Sequence, residues 1–313
     1  MKVLFVVHRY APFPGGSEYY VQNMAEEFLK RGNRSVVLAH EHQGNLNGVR
    51  VTNDYNEILN DWDMIIIHGC DCVSQNIVLQ HLHLVKSPVC YMIIKPSHSI
   101  VAYNGLKNAD YLAYSTSMDL EHIRNYGYES KARRVRHGII PKIYDKDLEK
   151  VEYVSAGGFY PHKAMPELAK YWNETFPEKR LDLYGYADGE KPDYPNVKSY
   201  LGFDKEHVDK MIANAQGYIM NSYEEGFGLV LLESMLNRVP CYARNIAGAK
   251  DMAPYVNVYD RIEDLKDKIY AFELLPLEQK NDILQRNHEY VMTNHTITQT
   301  VNDLEDIINE KRK

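Results

Sequence analysis

The stretch Glu224-Glu225-Gly226-Phe227-Gly228-Leu229-Val230-Leu231-Leu232-Glu233 decides how this chain is read. It follows an apolar run, Gly217 to Met220, with the character of a short buried strand. It leads into Leu229 to Leu236, which is rich in helix formers. Strand, glycine loop and helix therefore succeed one another. Such a loop presents backbone N–H groups at the positive end of a helix dipole, a place suited to phosphate. Gly226 and Gly228 carry no Cβ, so a ligand can approach the backbone closely. Glu225 falls in the loop and Glu233 about two turns into the helix, so at about 1.5 Å per residue the helical part of the span is on the order of 8–10 Å. That separation suits a ligand with two polyhydroxyl ends and phosphate between them. A helix N-terminus with an acidic first turn accounts for Glu224 and Glu225 alone. It does not account for the glycines flanking Phe227 or for a carboxylate interrupting the apolar run.

The same alternation runs through the rest of the chain. Val3 to Val7 is a continuous apolar run, the pattern of a strand buried on both faces of a parallel sheet. A loop with Pro12, Pro14, Gly15 and Gly16 follows. Val21, Met24, Ala25, Phe28 and Leu29 then recur at helical spacing up to Gly32. Val36 to Ala39, Met64 to Ile67, Val89 to Ile94 and Tyr111 to Tyr114 are the next strands. The pattern restarts near Val151, with a strand to Ser155, a glycine turn at Gly157 and Gly158, and a helix around Met165 to Trp172. Leu181 to Tyr184, Gly217 to Met220 and Pro240 to Ala243 continue it. Strands alternating with helices predict an α/β fold of doubly wound parallel sheets, in two halves with a seam near Pro141 to Glu149. The expected domains are residues 1–143, 144–295 and a C-terminal helix, 296–313, whose Val301, Leu304, Ile307 and Ile308 share one face.

The Glu225–Glu233 element resembles the Glu-x7-Glu element of retaining glycosyltransferases of family four, which have the GT-B fold of two Rossmann-like domains facing across a cleft. The resemblance implies that Glu225 contacts the hydroxyls of the donor sugar, that Glu233 binds the ribose, and that the amides of Gly226, Phe227, Gly228 and Leu229 hold the diphosphate. Val154 to Ala164 resembles the family's strand that ends in Gly-Arg with a Lys five residues later. Gly157 and Lys163 match, but Gly158 stands where the Arg is expected. A charge-assisted hydrogen bond is worth roughly 1.5–3 kcal/mol. Losing one without replacement weakens binding by roughly ten- to a hundredfold; Arg244 is a candidate replacement. The Gly15-Gly16 pair is similar to the family's loop that faces the donor from the opposite domain. It is not the dinucleotide fingerprint, which needs G-x-G-x-x-G directly after the strand, and a turn before a helix capped by Ser17 explains it equally well. His98, in the loop past the Val89 to Ile94 strand, lies about where family members carry a histidine near the reacting sugar. Asp110 to Ser115 and Val135 to Ile139 also resemble family segments, and in the family the C-terminal helix crosses back onto the first domain.

The remaining motifs have plainer readings. Asp61-Trp62-Asp63 matches the Asp-x-Asp of metal-dependent transferases but precedes a strand, so a solvated strand entry is expected. Cys70 and Cys72 alternate with His68, yet a zinc site would need a fourth ligand such as Cys90, His81 or His83, and packed side chains are the better reading. Lys131, Arg133, Arg134 and Arg136 read as a solvated turn before a strand.

At 313 residues the chain has room for two cores; it is 44% hydrophobic and 25% charged, the balance of a soluble globular protein. Its net charge of −7 argues against nucleic acid as a partner. The opening residues lack the apolar length of a signal peptide, no run reaches the length of a membrane span, and four cysteines fit reduced thiols, so a cytoplasmic location is expected, with peripheral attachment to a membrane left open.

The expected activity is metal-independent transfer of a sugar from a nucleotide diphosphate sugar to an acceptor hydroxyl with retention. Glu225 and His98 would act at the reacting sugar, with no cofactor beyond the donor. A glycan, lipid or small molecule could serve as acceptor. The alternatives are a GT-B nucleotide-sugar epimerase and a non-catalytic sugar-nucleotide binding module.

Overall fold

A computed structural model describes residues 1–11, 13, 15–69, 72–146, 151–186, 191–202 and 204–310. The chain folds as two compact units, Met1–Ile140 with His295–Lys313, and Pro141–Asn294. The first contains β1 (Lys2–Val7), α1 (Gly16–Lys30), β2 (Arg34–Ala39), β3 (Gly44–Leu46), β4 (Val49–Thr52), β5 (Met64–Gly69), α2 (Val73–Gln80), β6 (Val89–Ile93), α3 (Ile100–Asn108), β7 (Tyr111–Tyr114), α4 (Ser117–Asn125) and β8 (Ala132–Arg134). The second contains β9 (Val151–Gly158), α5 (Met165–Thr175), β10 (Leu181–Tyr186), β11 (Val197–Leu201), α6 (Lys205–Ala213), β12 (Ala215–Met220), α7 (Leu229–Leu236), β13 (Cys241–Arg244), α8 (Ala247–Asp251), β14 (Asn257–Tyr259), α9 (Leu265–Glu273) and α10 (Leu277–Asn294). The last helix, α11 (Ile297–Glu310), belongs to the first unit.

In the first unit the strand order is β3-β4-β2-β1-β5-β6-β7-β8. Five successive buried apolar residues place β1 inside the sheet, where Leu4 is in register with Val36 of β2 and Ile65 of β5. All pairings are parallel except β3 with β4. That hairpin turns at Asn47-Gly48, both with positive φ (51° and 86°), as a tight two-residue hairpin requires. Helix α11 buries Val301, Leu304, Ile307 and Ile308, and Arg31 at the end of α1 donates to Glu305 and Asn302 at 2.8 Å each.

In the second unit the order is β11-β10-β9-β12-β13-β14, parallel throughout, with β9 flanked by β10 and β12. Its core gathers Tyr153, Leu168, Trp172, Phe176, Leu183 and Ile219. Among the described residues, no helix is long and apolar enough to cross a membrane.

Several expectations are corrected. Gly157 and Gly158 are not a turn: they end β9, paired with Gly185 and Tyr186. The turn comes at residues 161–163, and Ala164 takes the left-handed conformation (φ 49°) before α5. The basic run is not a solvated turn, because Arg133 and Arg134 lie in β8. Arg133 pairs with Glu310, Arg136 with Asp303, and Lys131 donates to the carbonyls of Lys107 and Ala109. Pro12 and Pro14 of the first loop, Asp147 to Glu149 of the seam, Cys70, and Lys311 to Lys313 at the C-terminal end lie outside the described residues.

Candidate active site

The candidate site of the second unit is built at the carboxyl ends of β9 and β12. Beyond β12 the backbone reaches Gly228, which caps α7 with φ 86°, a conformation that a β-carbon disfavours. A β-carbon there would also lie 3.2 Å from Leu231 and Met220. Phe227 is buried, so what the loop offers between Gly226 and Leu229 is backbone. Behind it stands Gly248 of α8, where an added β-carbon would fall 2.1 Å from the Phe227 carbonyl oxygen.

The segment before the glycines is clamped to the region between β9 and α5. The Tyr223 N–H donates to the His162 carbonyl at 2.7 Å. The buried Asn221 side chain donates to the Ala164 carbonyl (3.1 Å) and to Glu167 (2.9 Å), and accepts from Arg244 (3.0 Å) and the Tyr259 hydroxyl (2.8 Å). Arg244 also pairs with Glu167 and lies 4.6 Å from the centre of the Tyr223 ring. Its guanidinium is thus engaged in bracing the loop. At Gly158 itself, the Tyr160 ring stands where a side chain would start, 2.4 Å from an added β-carbon.

This clamp brings Lys163 and Glu225 together. The Lys163 ammonium contacts Glu225 Oε1, the same oxygen that accepts from the Ser222 hydroxyl at 3.1 Å. Both side chains are about one-fifth exposed, so the pair is held yet reachable. The Lys163 chain runs alongside Gly157, 3.7 Å from where a β-carbon would lie. Gly157, Lys163, Glu225 and the Gly226–Leu229 backbone therefore converge.

Glu233 sits about one turn into α7, not the expected two, because the helix starts only at Leu229, about 6 Å of helix away; it meets a residue not singled out in the sequence. Lys205 of α6 donates to Glu233 Oε1 at 2.6 Å and to both oxygens of Asp209, at 2.8 and 2.9 Å. Burial, with Asp209, holds the Glu233 pKa above the ordinary carboxyl value, and Lys205 offsets this in part; burial works against the Lys205 charge, but Glu233 and Asp209 hold its pKa above the ordinary lysine value. The sequence signal for part of this was the i,i+4 spacing of Lys205 and Asp209; nothing local pointed to Glu233.

In the first unit, Gly15 precedes α1 and Gly16 opens it. At Gly15 the Glu18 carboxylate fills the side-chain position, 2.1 Å from an added β-carbon, whereas nothing stands within 4 Å at Gly16. Burial raises the Glu18 pKa, and Arg9 and His8 lower it. Ser17 lies inside the helix rather than at its cap, which is Gly15. His98 is exposed in the loop between β6 and α3, its Nδ1 3.0 Å from the Tyr126 hydroxyl and its ring edge-on to His122 at 5.2 Å. Asp61 and Asp63 sit at the entry of β5, bonded to the Lys2 ammonium (3.0 Å) and backbone N–H (2.7 Å). His68 is buried, Cys72 precedes α2, and among the described residues no three His, Cys, Asp or Glu side chains gather as metal ligands.

Residues 140–285 match the family model described as glycosyl transferases group 1, and no curated protein matches the chain. The fold is similar along the chain's whole length to solved glycosyltransferase structures. Sucrose-phosphate synthase from Thermosynechococcus elongatus superposes with a TM-score of 0.81 at 14% identity, covering 99% of this chain and 98% of that one. HepE of Anabaena, in complex with UDP and glucose, gives 0.79 at 14% identity, covering 99% and 100%. A glycosyltransferase from Rickettsia africae gives 0.77 at 15% identity, covering 100% and 98%. The fold is GT-B, and the match to the group 1 glycosyltransferase model falls almost wholly on the second unit.

Proposed function

We propose that this chain moves a sugar from a nucleotide diphosphate sugar to an acceptor hydroxyl, with retained anomeric configuration and without a metal ion. The observation that carries the reading is the meeting of Lys163 and Glu225 at the head of the glycine loop that opens α7. A cation beside a row of backbone amides suits a diphosphate, and a carboxylate one residue before them suits sugar hydroxyls. The UDP and glucose held by Anabaena HepE, at the same fold, support this class of ligand.

In this reading Glu225 orients the donor sugar, Glu233 takes the ribose hydroxyls, and Lys163 with the Gly226–Leu229 amides takes the charge that grows on the leaving diphosphate. Charge stabilisation of that kind supplies the largest part of the rate. The bond from the anomeric carbon to the diphosphate oxygen breaks, the bond to the acceptor oxygen forms on the same face, and the acceptor proton passes to the departing diphosphate. Glu225 therefore acts by position and charge, and no protein nucleophile is used. Gly15, Gly16 and His98 of the first unit are assigned to the donor and the reacting sugar. A cytoplasmic setting agrees with Cys72, Cys90 and Cys241 being free thiols.

The test is release of nucleotide diphosphate from a panel of UDP-, GDP-, ADP- and TDP-sugars in the presence of EDTA. Release from one donor is expected. Release that appears only with an added divalent ion refutes metal independence, and conversion of a donor to its epimer without release refutes transfer.

A further inference from the structure

Glu233 is held by more than its own helix. Lys205 stands at the first position of α6, set there by Asp204, whose side chain caps the helix by accepting from the His207 N–H at 2.8 Å. A pair with Asp209, one turn along, would satisfy Lys205 as an ordinary helix-surface bridge. Instead the ammonium reaches across to α7 and bonds Glu233 Oε1 at 2.6 Å while keeping both oxygens of Asp209. One cation thus lies between two carboxylates whose side chains are about one-fifth exposed. An ammonium has three protons to donate, and a carboxylate has about four acceptor positions. The bond to Lys205 therefore fixes Glu233 Oε1 and leaves the carboxylate able to accept further hydrogen bonds in a defined direction.

We propose that Lys205 is the positioning residue of the ribose site: it fixes the Glu233 carboxylate, ionised and in one orientation, so that the site tells a ribonucleotide from a 2′-deoxyribonucleotide. This rests on the reading of Glu233 as the ribose carboxylate. The charged and titratable groups that act on Glu233 are Lys205 and Asp209 from α6, with Tyr218 of β12 also within electrostatic reach. Of these only Lys205 favours the ionised form; burial and Asp209 both oppose it. Without the ammonium, Glu233 shifts toward a neutral acid with no anchor, and a neutral acid binds a hydroxyl less strongly than a carboxylate does.

The experiment measures the affinity of UDP, ADP and GDP and of their 2′-deoxy counterparts by titration calorimetry, on the full chain and on K205M and K205R. The wild type is expected to prefer the ribo form of its nucleotide by about tenfold or more, the worth of a charge-assisted hydrogen bond. In K205M the preference should collapse to within about threefold while affinity for the deoxy form holds, because only the ribose contact is lost. K205R keeps the cation and should restore the preference in part. Should K205M not fold, D209N/K205M removes the second carboxylate along with the ammonium and carries the same expectation. A preference that survives in K205M overturns the proposal, as does an equal loss for both forms or a K205R variant no better than K205M, either of which makes Lys205 a packing residue. Wild-type binding without any ribose preference overturns the role of Glu233 as well, and a wild type that binds none of the six overturns the proposed function itself.

Discussion

Mild acid should weaken the first unit through two histidines that no proposed step uses. His68, at the carboxyl end of β5, and His137 are both buried and both pack near the buried Tyr20; their ring centroids lie 6.3 and 4.7 Å from it. Burial lowers the pKa of His68 to about 4 and that of His137 to about 3. An unfolded histidine titrates near 6.5. Between the two values the unfolded chain binds protons that the folded chain refuses, so stability is full above about pH 7 and falls as the pH falls. From 6.5 down to pH 5 is about 1.5 pH units, and each unit is worth about 1.4 kcal/mol, so each histidine removes about 2 kcal/mol by pH 5. The pair removes about 4 kcal/mol, a large part of an ordinary domain's stability. His295, whose pKa is also lowered chiefly by burial, acts in the same direction. Glu18 and Asp119 act oppositely, since burial raises both and their windows open upward from the ordinary carboxyl values.

The assay follows from the tryptophans. The chain has two, Trp62 in the first unit and Trp172 in the second, both buried. In a Trp172→Phe background, fluorescence against urea reports the first unit alone. The unfolding free energy from Trp62 should fall by about 4 kcal/mol between pH 7.5 and 5, and replacing His68 by Leu should remove about half of that slope whatever it does to the absolute value. A change below about 1 kcal/mol would refute the reasoning, because it would mean that both histidines take up protons in the folded state as readily as in water.

Other outcomes are as definite. Glu225→Ala should abolish transfer while the far-ultraviolet circular dichroism stays that of the parent; full turnover in that variant ends the assignment of Glu225. Lys163→Ala should lower donor turnover by roughly ten- to a hundredfold, the worth of one charge-assisted contact, read from initial rates of nucleotide diphosphate release. Gly248→Ala should lower the melting temperature and weaken nucleotide binding together, because its β-carbon needs the space of the Phe227 carbonyl. Gly16→Ala, with open space around it, should leave the melting temperature unchanged, so any loss of activity there belongs to the ligand.

The long buried strands were legible because a stretch covered on both faces is a continuous apolar run, as residues 3–7 of β1, 64–67 of β5 and 89–93 of β6 are. The strands that escaped notice are short and half-polar. β3 (Gly44–Leu46), β4 (Val49–Thr52), β8 (Ala132–Arg134), β11 (Val197–Leu201) and β14 (Asn257–Tyr259) lie at or next to sheet edges, where the apolar demand is weaker. The Asn47-Gly48 turn was the one local sign of the first of them. Gly157 and Gly158 misled for a different reason: glycine marks a need for space as often as a turn, and here the space is taken by the Lys163 chain and the Tyr160 ring. Within the candidate site, a contiguous loop and helix could be read from spacing. Partnerships such as Lys205 with Glu233, 28 residues apart, or Arg244 with Glu167, 77 apart, depend on which strands lie side by side.

Those partnerships show what the second unit must resist. Loop amides attract an anion only if the loop keeps its shape when the anion leaves, and a glycine loop has little stiffness of its own. The rigidity comes from below: Asn221 ties the loop to the Ala164 carbonyl and Glu167, Arg244 spans Asn221 and Glu167, and Gly248 lets α8 close against Phe227. Lys163 is set by the same clamp, since the His162 carbonyl accepts from the Tyr223 N–H. The ammonium that would meet a diphosphate and the carboxylate that would meet a sugar are therefore positioned by one network before any ligand arrives. On the proposed function, an incoming phosphate would compete with Glu225 for Lys163, while Ser222 is a donor to the same carboxylate oxygen. The carboxylate would then be released toward the sugar as the diphosphate is gripped. That coupling predicts that Ser222→Ala harms turnover more than nucleotide affinity, measurable as a fall in kcat with little change in the Kd for the nucleotide diphosphate. An equal loss in both would show that Ser222 serves the loop's shape and not the carboxylate.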